Sequence, residues 1–337
     1  MPLGIVEYGA FVPSTAQLIA NAIGAMGLGM TGNIIYVDPV NGLDGNTGLS
    51  PVRDGSSSVG PVATLAKAYA IGRSGYNDVI VLIGNGASTG SARITTFTWA
   101  KNALHLVGVA SPSAVSQRAR IANPTTTGII ITANFFTLSG NGCLFQNLSF
   151  FQGAGAGQTG IAAAICMTVS GQRNAFVNCS FEGMGDTTAS VSATSRSLKV
   201  SAGENAFYHC TIGLDTVART NANASVEISG NAGRVLFEDC LFPINSSDGL
   251  QYAFLAAAAS AFDRWVLFKR SNFIASGTAT AQLMHAVASS GSSTGKICLD
   301  SGCGTYGVTA LGDATSLTQI WVAGGTATTG TKGIVAG

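Results

Sequence analysis

The chain has 337 residues, enough for one large domain or two ordinary ones with a sizeable core. Only 10% of the residues are charged, 46% are hydrophobic and 44 are glycine, a composition that excludes intrinsic disorder. The formal net charge is +1, and Lys and Arg are scattered rather than gathered in a stripe, which argues against nucleic acid as a partner.

From Tyr8 to Val37 the chain carries no charge. Its apolar core, Thr15 to Met30, is broken by Gly24, Gly27 and Gly29 and falls short of the roughly 20 residues of a bilayer span, so no membrane partner is expected. Nothing basic precedes the first apolar stretch, as a secretory leader would require. Residues 1–33 read instead as a docking arm, with a short helix begun by Pro13-Ser14.

A first strand and a capping helix follow, over residues 34–75. Asp38, Asn41, Asp44 and Asn46 offer oxygen ligands of the kind calcium takes. Their spacing does not fit an EF-hand loop, and an Asx/Gly turn is the preferred reading. "PVATLAKAYAIGRS" (Pro61 to Ser74) has Pro at a helix-start position and apolar spacing, so a short helix is expected to plug the first coil. The run "YVD…NG…DGNTGLSP" within Ile34 to Pro51, followed by "VATLAKAYA", resembles the opening of many pectate-lyase-like right-handed β-helix proteins. That superfamily includes polysaccharide lyases and hydrolases, bacteriophage tailspikes and non-enzymatic phage virion proteins, and the fold alone does not select among them.

Residues 76–313 are repetitive. "NAFVNCSF" (Asn174 to Phe181) returns as "NAFYHCTI" (Asn205 to Ile212). The first aromatic of this motif falls at Phe145, Phe176, Phe207, Phe237 and Phe268, with gaps of 31, 31, 30 and 31. Leu138, Val169, Val200 and Ile228 form a second series upstream. Strict alternation would point Phe176, Asn178 and Ser180 one way and Val177, Cys179 and Phe181 the other. No amphipathic helix separates the strands, which rules out a βαβ layout. The expected fold is all-β: a right-handed parallel β-helix of about 31 residues per coil with short N-terminal capping helices. Like residues then stack at about 4.8 Å, one rung per coil. Polar excursions after Phe181 and Ile212 leave one corner and should cover one flank, where surface function would sit. "QIWVAGG" and "GIVAG" lie in a Gly/Thr-rich tail, residues 314–337, expected to dock on a neighbour.

Seven cysteines are present, with no CxxC pair to suggest zinc. Cys179, Cys210 and Cys240 share one repeat position, while Cys143, Cys166, Cys298 and Cys303 are scattered. They read as small core side chains assembled in a reducing cytosol.

A lyase or glycosidase needs convergent carboxylates or a base beside acidic metal ligands. Glu182, Asp186, Glu204, Asp215, Glu227, Glu238, Asp239, Asp248 and Asp263 occupy different repeat positions, and no two adjacent rungs stack carboxylates. Asn147, Asn178, His209 and Asp239 form a polar rung that could bind a ligand; hydrogen bonding along the stack or to turn backbone is the preferred reading. Gly155, Gly157 and Gly160 spell GxGxxG, but a β repeat rather than a helix follows. His105, His209 and His285 have no nucleophile placed by motif, and Trp99, Trp265 and Trp321 suit packing more than sugar stacking. No catalytic, cofactor-binding or metal-ligating residue is therefore assigned, and no cofactor is expected. The expectation is a non-enzymatic structural virion protein of a tailed bacteriophage. Its specific form is a capsid decoration (cement) protein, made in the host cytoplasm and resident on the capsid surface. Its partners would be the major capsid protein lattice and its own copies in a homotrimer. The alternative is a receptor-binding tailspike or fibre, with or without polysaccharide-degrading activity.

Overall fold

The computed structural model describes residues 32–52, 58–110, 119–128, 131–155, 157–256, 263–279, 282–286, 295–308, 310–311, 320–323 and 325–326. The expected N-terminal arm, and most of the C-terminal tail, lie outside the described residues.

The chain is an all-β parallel solenoid. Among the described residues, three sheets of eleven, eight and seven strands run along it, and the chain visits them in turn. One coil shows the plan: Leu144–Gln146 in the eleven-stranded sheet, Leu148–Phe151 in the eight-stranded sheet and Ile165–Val169 in the seven-stranded sheet. The next strand, Ala175–Val177, pairs in parallel with the first, and Phe176 lands on Phe145. The repeat of about 31 residues is thus one full coil.

Phe145, Phe176, Phe207, Phe237 and Phe268 form one internal column, with successive ring centroids 5.3, 4.8, 4.8 and 4.9 Å apart. All five are fully buried. A second column joins Phe150, Phe181 and Ile212, continued by Phe242 on Phe273. Leu138, Val169, Val200 and Ile228 stack in the seven-stranded sheet. Each buried Phe contributes roughly 2–3 kcal/mol from burial, and each ring pair about 0.5–1.5 kcal/mol more. The columns from all three sheets meet in one continuous core.

The alternation expected across "AFVNCSF" is corrected by the backbone. Asn178 has φ of 52°, and it ends the strand Ala175–Val177 before the strand Ser180–Glu182 begins. This left-handed residue turns a corner between two sheets and resets the strand parity. Phe176, Cys179 and Phe181 therefore all point into the core, while Ser180 leaves it. Asn147, His209, Asp239 and Arg270 hold the same conformation in neighbouring coils, with φ of 47–55°. Asn and Asp tolerate that region; for His209 and Arg270 the stacked coils impose it.

The helix expected from Pro61 begins later. Val62 bridges Val37 in parallel, and the helix, α1, spans Leu65–Ile71 with Thr64 as N-cap. The Thr64 hydroxyl accepts from the Lys67 N–H at 3.1 Å. At the other end the Lys101 ammonium donates to the carbonyls of Tyr69 and Gly72, at 2.5 and 2.6 Å, where helix polarity favours a cation. Ile320–Val322, inside the segment expected as a docking tail, pairs in parallel with Lys296–Leu299 and extends the eleven-stranded sheet. Among the described residues no helix is long and apolar enough to cross a membrane.

Candidate functional site

Several charged side chains, at the corners and on the strands, pair between neighbouring coils. Arg173 Nε is 2.7 Å from Glu204 Oε2, Arg196 Nε is 2.8 Å from Glu227 Oε2, and Arg270 Nη2 is 2.7 Å from Asp239 Oδ2. Each of these pairs is separated by 31 residues. Arg234 adds a second cation to Glu204, and Lys269 and Arg270 flank Glu238 at 2.8 and 2.6 Å. The Arg173 guanidinium, then Arg234, holds the Glu204 carboxyl below the usual range. Lys269 and Arg270 do the same for Glu238, and Arg270 for Asp239. A general acid at neutral pH needs the opposite shift.

Asp186, Asp248 and Glu182 serve the backbone or the buried flank. Asp186 caps the short helix α2, Thr187–Ser190, accepting from the Thr188 and Ala189 amides. Asp248 accepts from the amides of Asn221 and Leu250 at 2.7 and 3.0 Å and from the Gln251 side chain. These bonds keep its carboxyl low although burial pushes the other way. Glu182 is buried, accepts the Ser149 and Ser180 hydroxyls at 2.9 and 2.8 Å, and lies 4.0 Å from Arg120 Nη2. Asp263 is near Arg264, at 3.7 Å. The Asp215 carbonyl accepts from the Asn245 amide at 2.9 Å.

The four Asx residues near the N-terminal end act as turn formers. Asp38 accepts from the Val40 and Asn41 amides, Asp44 from the Ala63 and Thr64 amides, and Asn46 donates to the Pro61 carbonyl. Among the described residues no group of three or more His, Cys, Asp or Glu side chains could hold a metal ion.

The polar rung lies on the left-handed corner. Asn178 Nδ2 donates to Asn147 Oδ1 at 3.1 Å, and Asn147 Nδ2 to the Gly108 carbonyl at 2.9 Å. His209 Nδ1 is 3.9 Å from Asp239 Oδ2. A second ladder lies inside the opposite corner, at the first residue of each octet. The Asn174 side chain accepts from the Cys143 amide at 2.8 Å, and the Asn205 side chain from the Asn174 amide at 3.0 Å.

Cys179, Cys210 and Cys240 are buried free thiols. Each donates to a Phe carbonyl one coil back: Phe145, Phe176 and Phe207, at 3.4–3.5 Å. Ser271 takes the same place one coil later, bonding the Phe237 carbonyl at 3.2 Å. Burial drives the Cys210 and Cys166 thiols well above their ordinary value, and Cys143 up to about 11. None of these three is a poised nucleophile.

The most unusual side chain is Arg219, which is 1% exposed. It donates to Asn223 Oδ1 and Ser225 Oγ at 2.8 and 3.0 Å, with Tyr252 O at 3.5 Å, all neutral oxygens. Burial, and after it the charge of Arg196, lowers its pKa to about 9. It stitches the loop after Ile212 to the seven-stranded sheet.

Among the described residues, recesses open at two of the corners. One, of about 170 Å³, lies at the Glu204–Arg234 corner and is lined by Asp263 and Arg264 as well. The other, of about 350 Å³, is walled by Gly155, Gly160, Gly185 and Asp186. Of the GxGxxG glycines, Gly155 and Gly160 thus border a loop recess, and the segment leads into the strand Ile165–Val169. Trp99 is buried, whereas Trp265 and Trp321 are exposed. His105 is buried between Asn77 and the Leu144 amide, and burial lowers its pKa. His285 sits on a strand paired with Tyr252–Ala256.

No protein-family profile and no curated protein sequence matches the chain. Among solved structures, a pectate lyase (17% identity, TM-score 0.52) aligns over 80% of this chain and 62% of its own. Pectin methylesterase PemA from Erwinia chrysanthemi (15% identity, TM-score 0.52) aligns over 90% of this chain and 93% of its own. A pectin methylesterase variant solved with a hexasaccharide (18% identity, TM-score 0.50) aligns over 82% of each. At these identities the likeness is one of fold. All three carry enzyme names and none is named as a virion protein, so this fold likeness runs against the expectation of a non-enzyme and lends nothing to the virion reading.

Proposed function

We propose that this chain is a structural β-solenoid of a tailed-bacteriophage virion. Its specific role is that of a capsid decoration protein, bound to the major capsid protein lattice as a homotrimer. The observation that carries the non-catalytic part is the state of the carboxylates. Glu204, Glu238 and Asp239 are held low by cations one coil away, and Asp248 is spent on backbone amides and the Gln251 side chain. Such pairing suits a rigid, laterally packing rod. A protein that binds only the mature lattice stabilises that state by mass action. In this reading the solenoid winds right-handed, as parallel crossovers overwhelmingly do. Helix α1 acts as its N-terminal cap, with Leu65 and Ala68 buried in the core beside the first strand.

The second reading, a receptor-binding tailspike or fibre with polysaccharide-degrading activity, is favoured by Trp265 and Trp321. These exposed rings at one end of the eleven-stranded sheet could stack on sugars. Incubating purified protein with mature shells stripped of it, then sedimenting, separates the two. Saturable co-sedimentation and increased shell resistance to osmotic shock are expected for decoration. No co-sedimentation, together with depolymerisation of a host polysaccharide, would overturn it in favour of the tailspike.

A further inference from the structure

We propose that the recess at Asp186 is a binding site for an ammonium or guanidinium group. This goes beyond the structural reading above and does not depend on it. Three neighbouring coils build the site from the polar excursions that leave the eight-stranded sheet. Gly155 and Gly160 come from the excursion after Phe151, Asp186, Thr187 and Thr188 from the one after Glu182, and Val217 from the one after Ile212. The recess holds about 350 Å³, at the lower end of the roughly 300–1,000 Å³ of small-ligand pockets.

The Asp186 carboxylate carries the inference. The residue is 9% exposed, and its Oδ1 accepts the Thr188 and Ala189 amides at 2.9 and 3.0 Å. Its Oδ2 is shielded from solvent and accepts nothing among the described residues. Gln158, the side chain of the wall with N–H donors, gives them to the Pro124 and Thr126 carbonyls instead. Gly160 lies so close to Oδ1 that a Cβ there would collide with it. The Oδ1 side is thus closed, and the recess is the side from which a donor can come. A buried carboxylate oxygen without a donor is strongly unfavourable, and a ligand that supplies one relieves that cost.

Charge and coordination select the ligand. Among the described residues of the wall Asp186 alone is charged, so the recess favours a cation. Calcium takes roughly six to eight oxygens, commonly from several carboxylates. Here one carboxylate oxygen is left over, and among the described residues no cluster of metal-ligating side chains accompanies it. A neutral sugar would leave the charge unmatched, and the described wall has no aromatic ring to stack on its face. An ammonium or guanidinium group brings positive charge and several N–H donors together. Thr187 and Thr188 offer hydroxyl acceptors for the remaining donors, and Val217 an apolar contact for the alkyl stem.

Amide NMR titration of the full chain tests this. Butylammonium and methylguanidinium chloride, at constant ionic strength, should shift the Gly160, Thr187 and Thr188 amides saturably, with dissociation constants on the order of 1 mM. Tetramethylammonium, which has the charge but no N–H, should not. Asp186→Asn keeps a capping side chain on α2 and removes the charge, so it should stay folded and bind at least about tenfold more weakly. Asp263→Asn, at the other recess, should bind as wild type does. A blocked glycyl-lysyl-glycine peptide and agmatine separate the sources. Tighter binding of the peptide assigns the site to a protein side chain and tighter binding of agmatine to a free amine, and either result supports the site. No saturable shift in wild type up to about 50 mM would overturn the proposal. Equal binding by folded Asp186→Asn, equal shifts with tetramethylammonium, or calcium chloride binding more tightly than either amine would overturn it too.

Discussion

Replacing Cys210 by aspartate tests the corner that separates the sheets. Cys210 is 1% exposed, and its Sγ lies 3.5 Å from the Phe176 carbonyl and 3.3 Å from the Tyr208 carbonyl. A carboxylate there would face two acceptors and low-dielectric core. Burial of this kind raises a carboxyl pKa by about 3 units, which is about 4 kcal/mol at neutral pH. The sign follows from linkage. The folded-state pKa lies above the unfolded value of about 3.9, so the penalty is absent below that value and grows as pH rises to the folded pKa. Cys210→Ser should cost about 1 kcal/mol or less, because Ser271 already makes the same pair of bonds, to the Phe237 and Lys269 carbonyls at 3.2 Å each. Urea unfolding followed by circular dichroism at pH 4 and pH 8 measures both variants. An aspartate variant as stable as wild type at pH 8 would refute the inward facing of the thiol column.

Other expected outcomes follow from the same geometry. Phe207→Ala should cost about 3–5 kcal/mol in urea unfolding, since its ring stacks at 4.8 Å on both neighbours, while outward Thr168→Ala stays within about 0.5 kcal/mol. Glu227→Gln should lose about 3 kcal/mol in chemical unfolding, because Arg196, 5% exposed, keeps its charge and loses its ionic partner. Arg219 has a folded pKa of about 9, below the ordinary 12.5, so the folded state releases its proton first. Stability contributed through this group should rise with pH above about 9, and the melting difference between wild type and Arg219→Met should shift in favour of wild type from pH 8 to pH 10.5.

Much of the fold was legible because stacking writes itself as a period. The Phe column repeats one side chain at one-coil spacing and the Leu138–Ile228 column repeats aliphatic ones, and their register is the register of the sheets. The corner was not legible. Left-handed φ is a backbone property; Asn178 hints at it, but His209 and Arg270 do not. Reading straight through that corner reversed the facing of Phe176 relative to Phe181. The charge ladder could have been found by applying the same period to charged residues, since Arg173 to Glu204, Arg196 to Glu227 and Asp239 to Arg270 are one coil apart. Arg219 gave no such signal: it stands in a polar loop sequence, and only the packing of that loop onto the seven-stranded sheet buries it. The Asn174–Asn205 ladder opens both repeated octets, yet a side chain that bonds the amide of the next coil is indistinguishable in sequence from a solvated turn Asn.

Copy number tests the proposed function most directly. Quantitative mass spectrometry on purified particles from the source, with the shell protein as internal standard, would count this chain per particle. The decoration account predicts hundreds of copies in fixed ratio to the shell protein. A few copies in multiples of three would place the chain in the tail, and absence from every particle would contradict the virion account outright.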